Sequence, residues 1–261
     1  MKFSIATPSY NQAKFISQTI NSVISQTGDF YIEYFVIDGG STDNTIEILK
    51  QYELQLKNNS RIKFYWQSQK DNGQSDAINQ GFKKTTGDIL AFINSDDYYE
   101  PNTFQKIVDE FNNNPNKNWL CGYSHIVDEK NNFIQKYITF YKNFWLNHYS
   151  YQTLLVLNYI SQPSTFFTKK IFNQIGIFNE KLNYTMDYDF WLKIGKNNNP
   201  IVLKEYLSNF RIHSTSKGKT SYKNQFIEDL KTASNYTSNK LILKLHQFHN
   251  QIINFFYSII K

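Results

Sequence analysis

One cysteine in 261 residues makes an intrachain disulfide impossible and fits a reducing compartment. That residue, Cys121, follows Trp119-Leu120 in a predicted strand and reads as a small buried hydrophobe. No apolar run approaches the ~20 residues that a membrane-spanning helix needs. The amino terminus shows no leader pattern and the first predicted strand opens at residue 3, so the expected location is cytoplasmic. Glycine is missing from the first strand-to-helix turn, Thr7 to Asn11, which removes the G-x-G-x-x-G fingerprint and with it a dehydrogenase reading. Basic residues exceed acidic ones, 28 to 22, for a net charge of +6, but they are dispersed and no nucleic-acid-binding motif accompanies them. The excess therefore suits an anionic small molecule or an anionic lipid surface, and nucleic acid is not expected as a partner.

What is present is a repeated strand, turn and helix pattern whose turns are rich in acids and amides. Phe3 to Asn11 reads as a strand ending in a small polar turn, with Phe15, Ile16, Thr19, Ile20, Val23 and Ile24 on one face of the helix behind it. Tyr34 to Ile37 runs into Asp38-Gly39-Gly40-Ser41-Thr42-Asp43-Asn44-Thr45, where the glycines permit a tight turn and Ser41 or Thr42 can cap the next helix. Ile62 to Trp66 leads to Asp71-Asn72-Gly73-Gln74-Ser75-Asp76-Ala77-Ile78-Asn79-Gln80-Gly81. A fourth run, Ile89 to Ile93, closes on Asn94-Ser95-Asp96-Asp97. In an open α/β sheet ligands gather beyond the carboxyl ends of the strands, and paired carboxylates there are hard oxygen ligands suited to Mg²⁺ or Mn²⁺ bound together with phosphates. The competing reading makes Asp96 and Asp97 caps of the helix that starts near Asn102.

Taken together these turns resemble glycosyltransferase family 2. The fold this implies is α/β, the GT-A fold: a Rossmann-like, mostly parallel central sheet flanked by helices, here with a C-terminal helical extension. Thr7, Tyr10 and Asn11 match the family's T-x-x-Y-N turn. Asp38, Ser41, Asp43 and Thr45 match its D-G-S-x-D-x-T turn with one glycine added, and Asn94-Ser95-Asp96-Asp97 stand at its D-x-D region with Asn in first place. The likeness covers 1–215, divided near residue 115 into a nucleotide-sugar half and an acceptor half, with 216–261 as a helical tail. It implies a nucleotide-diphosphate sugar donor held by Thr7, Pro8, Ser9, Tyr10, Asn11, Asp38, Gly39, Asp71, Gly73, Gln74, Asp76, Asn79, Asn94, Ser95 and Asp96. It further implies a divalent metal, Mn²⁺ or Mg²⁺, on Asp96, Asp97 and His213.

The second half is expected to supply the acceptor side. A helix over 102–114 ends at Pro115, a strand follows over 119–123, and Ile126-Val127 with Phe133-Ile134 flank a small exposed hairpin. The aromatic stretch 137–159 is only loosely periodic and reads as a flap or acceptor loop. By resemblance, Gln162 and Ser164 lie on the acceptor side, and Asp187 in Tyr184-Thr185-Met186-Asp187-Tyr188-Asp189-Phe190-Trp191 is the general base. Met186 stands where relatives often carry Glu. An inverting transfer needs one such acid, because the acceptor hydroxyl loses its proton on the face opposite the leaving nucleotide. Asp189 and Trp191 are placed on the same side, with a structural role the stronger reading for Asp189. Arg211-Ile212-His213 resembles the R-x-H segment of the family, which puts His213 within reach of metal or diphosphate. The small, basic run 214–220 is expected to be a loop over phosphates or a solvated linker.

In the tail, Leu241, Leu245, Phe248, Ile252, Phe255 and Ile259 repeat at spacings of four and three, with Lys240, Lys244 and Lys261 elsewhere. Three readings compete: packing on the enzyme's own body, lying in a membrane interface, or pairing with a partner. The resemblance implies an inverting, metal-dependent transfer of a sugar to a glycan or lipid-linked acceptor in surface polysaccharide biosynthesis, as at the inner face of the cytoplasmic membrane. The alternatives are a catalytically inactive sugar-nucleotide or glycan-binding homologue and, within enzymes, nucleotidyl transfer.

Overall fold

Alternation along two strands decides the architecture. In β1 (Lys2–Ser9), Phe3 and Ile5 enter one apolar cluster and Ala6 the other; in β4 (Ile89–Phe92), Ile89 and Ala91 point one way and Leu90 and Phe92 the other. Strands buried on both faces belong in the middle of a sheet covered by helices on each side. The computed structural model, which describes residues 1–214, 216 and 222–259, has that form. Its other strands are β2 (Tyr31–Asp38), β3 (Ile62–Ser68), β5 (Tyr98–Tyr99), β6 (Trp119–Val127), β7 (Thr165–Thr168) and β8 (Ile201–Arg211). The sheet order is β3-β2-β1-β4-β7-β6-β8-β5. β1 to β4 run parallel, β7 is antiparallel to both its neighbours, β6 and β8 are parallel, and β5 opposes β8. Six strands therefore share one direction, and the ends of β1, β2, β4 and β8 open at one edge.

One face is covered by α1 (Ile16–Ile24), α2 (Thr45–Leu56) and α4 (Thr103–Asn113), the other by α3 (Gln74–Lys83), α6 (Tyr151–Val156), α7 (Lys169–Ile175) and α8 (Met186–Gly195). Aromatic rings fill the first core: Phe104 of α4 stacks on Phe3 at 4.5 Å and meets Phe30, Tyr99 and Phe166 edge-on. Each ring so buried contributes about 1.5–3 kcal/mol by removal from water.

One expectation changes. The stretch 137–159 is helical for most of its length, as α5 (Lys136–Asn147) and α6. α5 buries only Thr139 and Leu146 and leaves Tyr137, Phe140 and Phe144 exposed, so aromatics on both sides erase the contrast that periodicity needs. In the tail, α9 (Tyr222–Ser234) and α10 (Lys240–Ile259) pack on α8 and α6, which is the first of the three readings for this segment. His246 Nδ1 lies 2.8 Å from the Leu155 carbonyl, and Ala233 joins the second core. The stripe Leu241, Leu245, Phe248 and Ile252 faces solvent, while Ile242, Leu243, His246 and Asn250 turn inward. The hairpin forms, with Val127 bridged to Phe133. Of the expected loop 214–220, only 214 and 216 lie within the described residues.

Candidate active site

The site is built from turns that hold one another. At the end of β1, Thr7, Pro8 and Ser9 are buried, and the Thr7 hydroxyl lies 3.0 Å from Tyr34 Oη, so Tyr10 and Asn11 are the residues of this turn that reach solvent. Asn11 adopts a left-handed φ of 51°, which asparagine tolerates well. Its Oδ1 accepts from Thr42 N at 2.8 Å, and its own N–H donates to Ser41 Oγ at 2.7 Å. The β2 turn is organised from within by Asp38, fully buried, whose carboxylate accepts from Gly40 N, Ser41 N, Ser41 Oγ and Ser68 Oγ at 2.5–3.0 Å. Gly40 stands at φ +86°, which its missing side chain permits, and a Cβ on Gly39 would lie 2.9 Å from Asp71 Oδ2 and displace that carboxylate. Burial, with Asp76 and Asp38 nearby, pushes the Asp71 carboxyl up against a 2.8 Å hydrogen bond from Gly73 N. Asp76 accepts from Asn72 N at 3.0 Å, and that bond holds its carboxyl below the usual range.

Beyond β4 the two adjacent acids diverge. Asp96 turns outward, its Oδ2 2.9 Å from His213 Nε2, with 18% of its side chain exposed. Asp97 turns inward and is 1% exposed; its Oδ1 accepts from Arg211 N at 2.8 Å and its Oδ2 from Asn94 Nδ2 at 3.2 Å. Burial first, and the Asp96 charge second, push the Asp97 carboxyl well above the ordinary range. The three residues expected at the metal are placed differently: Asp96 and His213 meet, while Asp97 ties the turn to β8. Among the described residues no group of three or more His, Cys, Asp or Glu is assembled to hold a metal. Neither acid caps α4, whose Phe104 N–H donates to Gln26 Oε1 at 3.1 Å.

Arg211 is the residue whose role sequence reading missed, though the R-x-H segment marked its position. It is 1% exposed, and its Nε, Nη1 and Nη2 donate to the Asp96 carbonyl, the Asp128 carbonyl and Gln18 Oε1 at 2.7, 3.0 and 2.7 Å. Its guanidinium lies over the rings of Phe15 and Tyr98, and Phe15 also packs against His213. The hub fixes the peptide of Asp96 and so the direction of its carboxylate.

A chain of polar contacts links this edge to the second half. Gln162 Nε2 donates to the Phe92 carbonyl at 2.6 Å, Asn94 Nδ2 to Gln162 Oε1 at 3.3 Å, and Gln74 Nε2 to Asn94 Oδ1 at 2.6 Å. Beside Gln74, the Ser75 hydroxyl lies 2.7 Å from the sulfur of Met186, the residue before Asp187. Ser95 is buried within this turn. Asp187 sits in the first turn of α8, its Oδ1 accepting from Tyr188 N at 2.8 Å. Burial raises its carboxyl, Lys142 of α5 draws it down, and Glu228 of α9 adds to the rise.

Four residues named for the site have their side chains engaged within the fold, Asp189 among them in keeping with its stronger reading. Asn79 is buried and holds the Phe178 backbone and Glu180, with its Nδ2 donating at 3.0 and 2.9 Å and its Oδ1 accepting at 2.9 Å. Ser164 is buried, donating to the Tyr123 carbonyl at 2.6 Å. Trp191 stacks on Trp119 within the core, and Asp189 pairs with Lys193 at 2.7 Å and accepts from Tyr236 Oη at 2.6 Å. Core packing consumes aromatic and short polar side chains as readily as ligands do, so residue type alone did not separate the two uses.

Residues 4–176 match the family described as Glycosyl transferase family 2. The chain belongs to that family. It is 33% identical over 193 residues to an uncharacterized glycosyltransferase of Rickettsia conorii, covering 73% of this chain and 31% of the relative. It is 28% identical over 197 residues to chondroitin synthase of Escherichia coli, covering 74% of this chain and 26% of that protein. It therefore spans less than a third of either relative. The mannosyltransferase PcManGT from Pyrobaculum calidifontis, in complex with GDP-Man and Mn²⁺, superimposes with a TM-score of 0.71 at 14% identity, over 93% of this chain and 68% of that one. S. aureus TarS in complex with UDP-GlcNAc gives 0.67 at 23%, over 92% and 67%. At such identities the likeness establishes the fold, which is GT-A.

Proposed function

We propose that this family-2 enzyme moves a sugar, with inversion and with a divalent metal, from a nucleoside-diphosphate donor to a hydroxyl of a glycan or lipid-linked acceptor in surface polysaccharide biosynthesis. The observation that carries the reading is the meeting of Asp96 Oδ2 and His213 Nε2 at 2.9 Å across 117 positions of sequence. A carboxylate oxygen beside an imidazole nitrogen, at the carboxyl edge of an α/β sheet, fits Mn²⁺ or Mg²⁺ that takes its remaining ligands from phosphate and water. Such an ion, when bound, neutralises charge on the departing nucleoside diphosphate. The Mn²⁺ and GDP-Man bound to PcManGT, and the UDP-GlcNAc bound to TarS, support this choice of ligands.

Tyr10, 60% exposed, and the turn braced by Asp38 line the base and ribose, with Asp71 beside them. Asp187 takes the proton of the acceptor hydroxyl as that oxygen forms its bond to the anomeric carbon. The carbon–oxygen bond to the diphosphate breaks on the opposite face, its electron pair leaves with the nucleotide, and the configuration inverts. A lipid-linked acceptor would be met at the inner face of the cytoplasmic membrane, where the outward stripe of α10, flanked by Lys240 and Lys244, suits an anionic interface. Among the described residues no helix is long and apolar enough to cross a membrane.

Calorimetric titration with nucleoside diphosphates, with and without Mn²⁺, tests the site. Asp96→Ala should abolish the metal-dependent part of binding and His213→Ala should weaken it. Undiminished metal-dependent affinity in Asp96→Ala overturns the assignment. Nucleotide release with a glycan acceptor separates transfer from an inactive homologue, and release of pyrophosphate would instead mark nucleotidyl transfer.

A further inference from the structure

The loop that delivers Asp187 is held by a residue far along the chain. Glu228, in the second turn of α9, accepts from Asn183 N at 3.2 Å through Oε2, and from Tyr184 N and Thr185 N at 2.9 and 3.1 Å through Oε1. The Thr185 hydroxyl donates to the same Oε1 at 3.0 Å and lies 2.9 Å from the hydroxyl of Thr232. Thr185 is the N-cap of α8, yet its side chain makes no capping bond into the helix. The capping side chain that usually serves such a terminus is thus turned toward α9, where one carboxylate gathers three successive N–H groups. A negative charge at the amino end of a helix is favourable in addition. The contacts continue along α9 and just beyond it at four-residue steps: Glu228, Thr232, and then Tyr236, whose hydroxyl donates to Asp189 Oδ1. All of them fall on residues 183–189, which bracket Asp187.

We propose that Glu228 is a positioning residue for the transfer reaction, fixing the start of α8 so that Asp187 meets the acceptor hydroxyl. The proposal rests on Asp187 being the base. Displacing a reacting group by about 1 Å costs rates on the order of 10²-fold, so a clamp on residues 183–185, just ahead of a base, acts on turnover more than on binding. The donor edge stands apart from it, because Asp96 is fixed through Arg211 and His213.

The test compares Glu228→Gln, which keeps the size but puts an amide nitrogen in place of one acceptor oxygen, and Glu228→Asp, which keeps the charge but withdraws it by one methylene. Both are assayed below their melting transitions beside wild type and Asp187→Asn. The readouts are transfer rate at saturating acceptor, acceptor KM and donor Kd. We expect kcat to fall about 10- to 100-fold in both Glu228 variants with donor Kd unchanged, and Asp187→Asn to lose about 10²–10⁴-fold. Full kcat in both Glu228 variants beside an inactive Asp187→Asn overturns the positioning role alone, even if their melting points drop. Normal transfer by Asp187→Asn overturns the base assignment and the positioning role with it.

Discussion

Asp96 and Asp97 differ by one position and point to opposite sides of their turn, so substitutions at the two test different properties. Asp97→Ala leaves the buried Arg211 N–H without its acceptor, a loss of about 1–3 kcal/mol. Asp96→Ala removes a partly exposed carboxylate and its contact with His213, a smaller loss of about 0.5–1.5 kcal/mol. Urea unfolding of the two variants should show the larger loss for Asp97→Ala, and equal losses would contradict the inward role of Asp97. Asp229 of α9 gives a pH dependence of its own. Burial, with Asp187 adding to the rise, pushes its carboxyl up to about 8, whereas in an unfolded chain it titrates near about 3.9. Between about pH 4 and 8 the folded protein holds a proton that the unfolded chain has released, so this group's contribution is full at the acid end and is lost as pH rises. Replacing it by Asn should flatten the fall of the melting midpoint across that range, as differential scanning calorimetry at several pH values would show. A slope as steep as that of wild type means that Asp229 does not hold the proton.

At the level of elements, a helix was legible where its two sides differ in chemistry. The pattern over 102–114 corresponds to α4 (Thr103–Asn113), which buries Phe104, Ile107, Val108 and Phe111 and little else. α5 escaped detection because Tyr137, Phe140 and Phe144 stand outside while Thr139 and Leu146 stand inside. In α10 the stripe was legible and its direction was not: two apolar faces compete, and Ile242 and Leu243 with His246 won the inward place. The outward stripe can therefore be altered without touching the core. Leu245→Glu combined with Phe248→Glu should leave the melting transition in place and reduce co-sedimentation with anionic vesicles. A sharp fall in melting temperature would mean that the stripe is packed, and the membrane contact should then be dropped.

For the whole molecule, the turns at the ends of β1, β2 and β4 could be placed from sequence because each is a local event: a buried strand stops, and glycine, asparagine or aspartate supplies the conformation and the hydrogen bonds of the turn. Their common edge follows once those strands are parallel. The insertion of β7 between β4 and β6, antiparallel to both, has no such local sign, since a four-residue apolar strand reads alike in either direction. The sequence by itself determined the strand and helix order, the acidic turns, and the family to which they belong, because these rest on periodicities and motifs within a few residues. Only the tertiary structure decided that Asp96 meets His213 while Asp97 meets Arg211, and that Glu228 reaches back 43–45 residues to the start of α8. Those choices depend on which side chain finds a buried partner, and partners 40 to 117 positions apart are set by how the sheet and its helices pack, which no local pattern encodes.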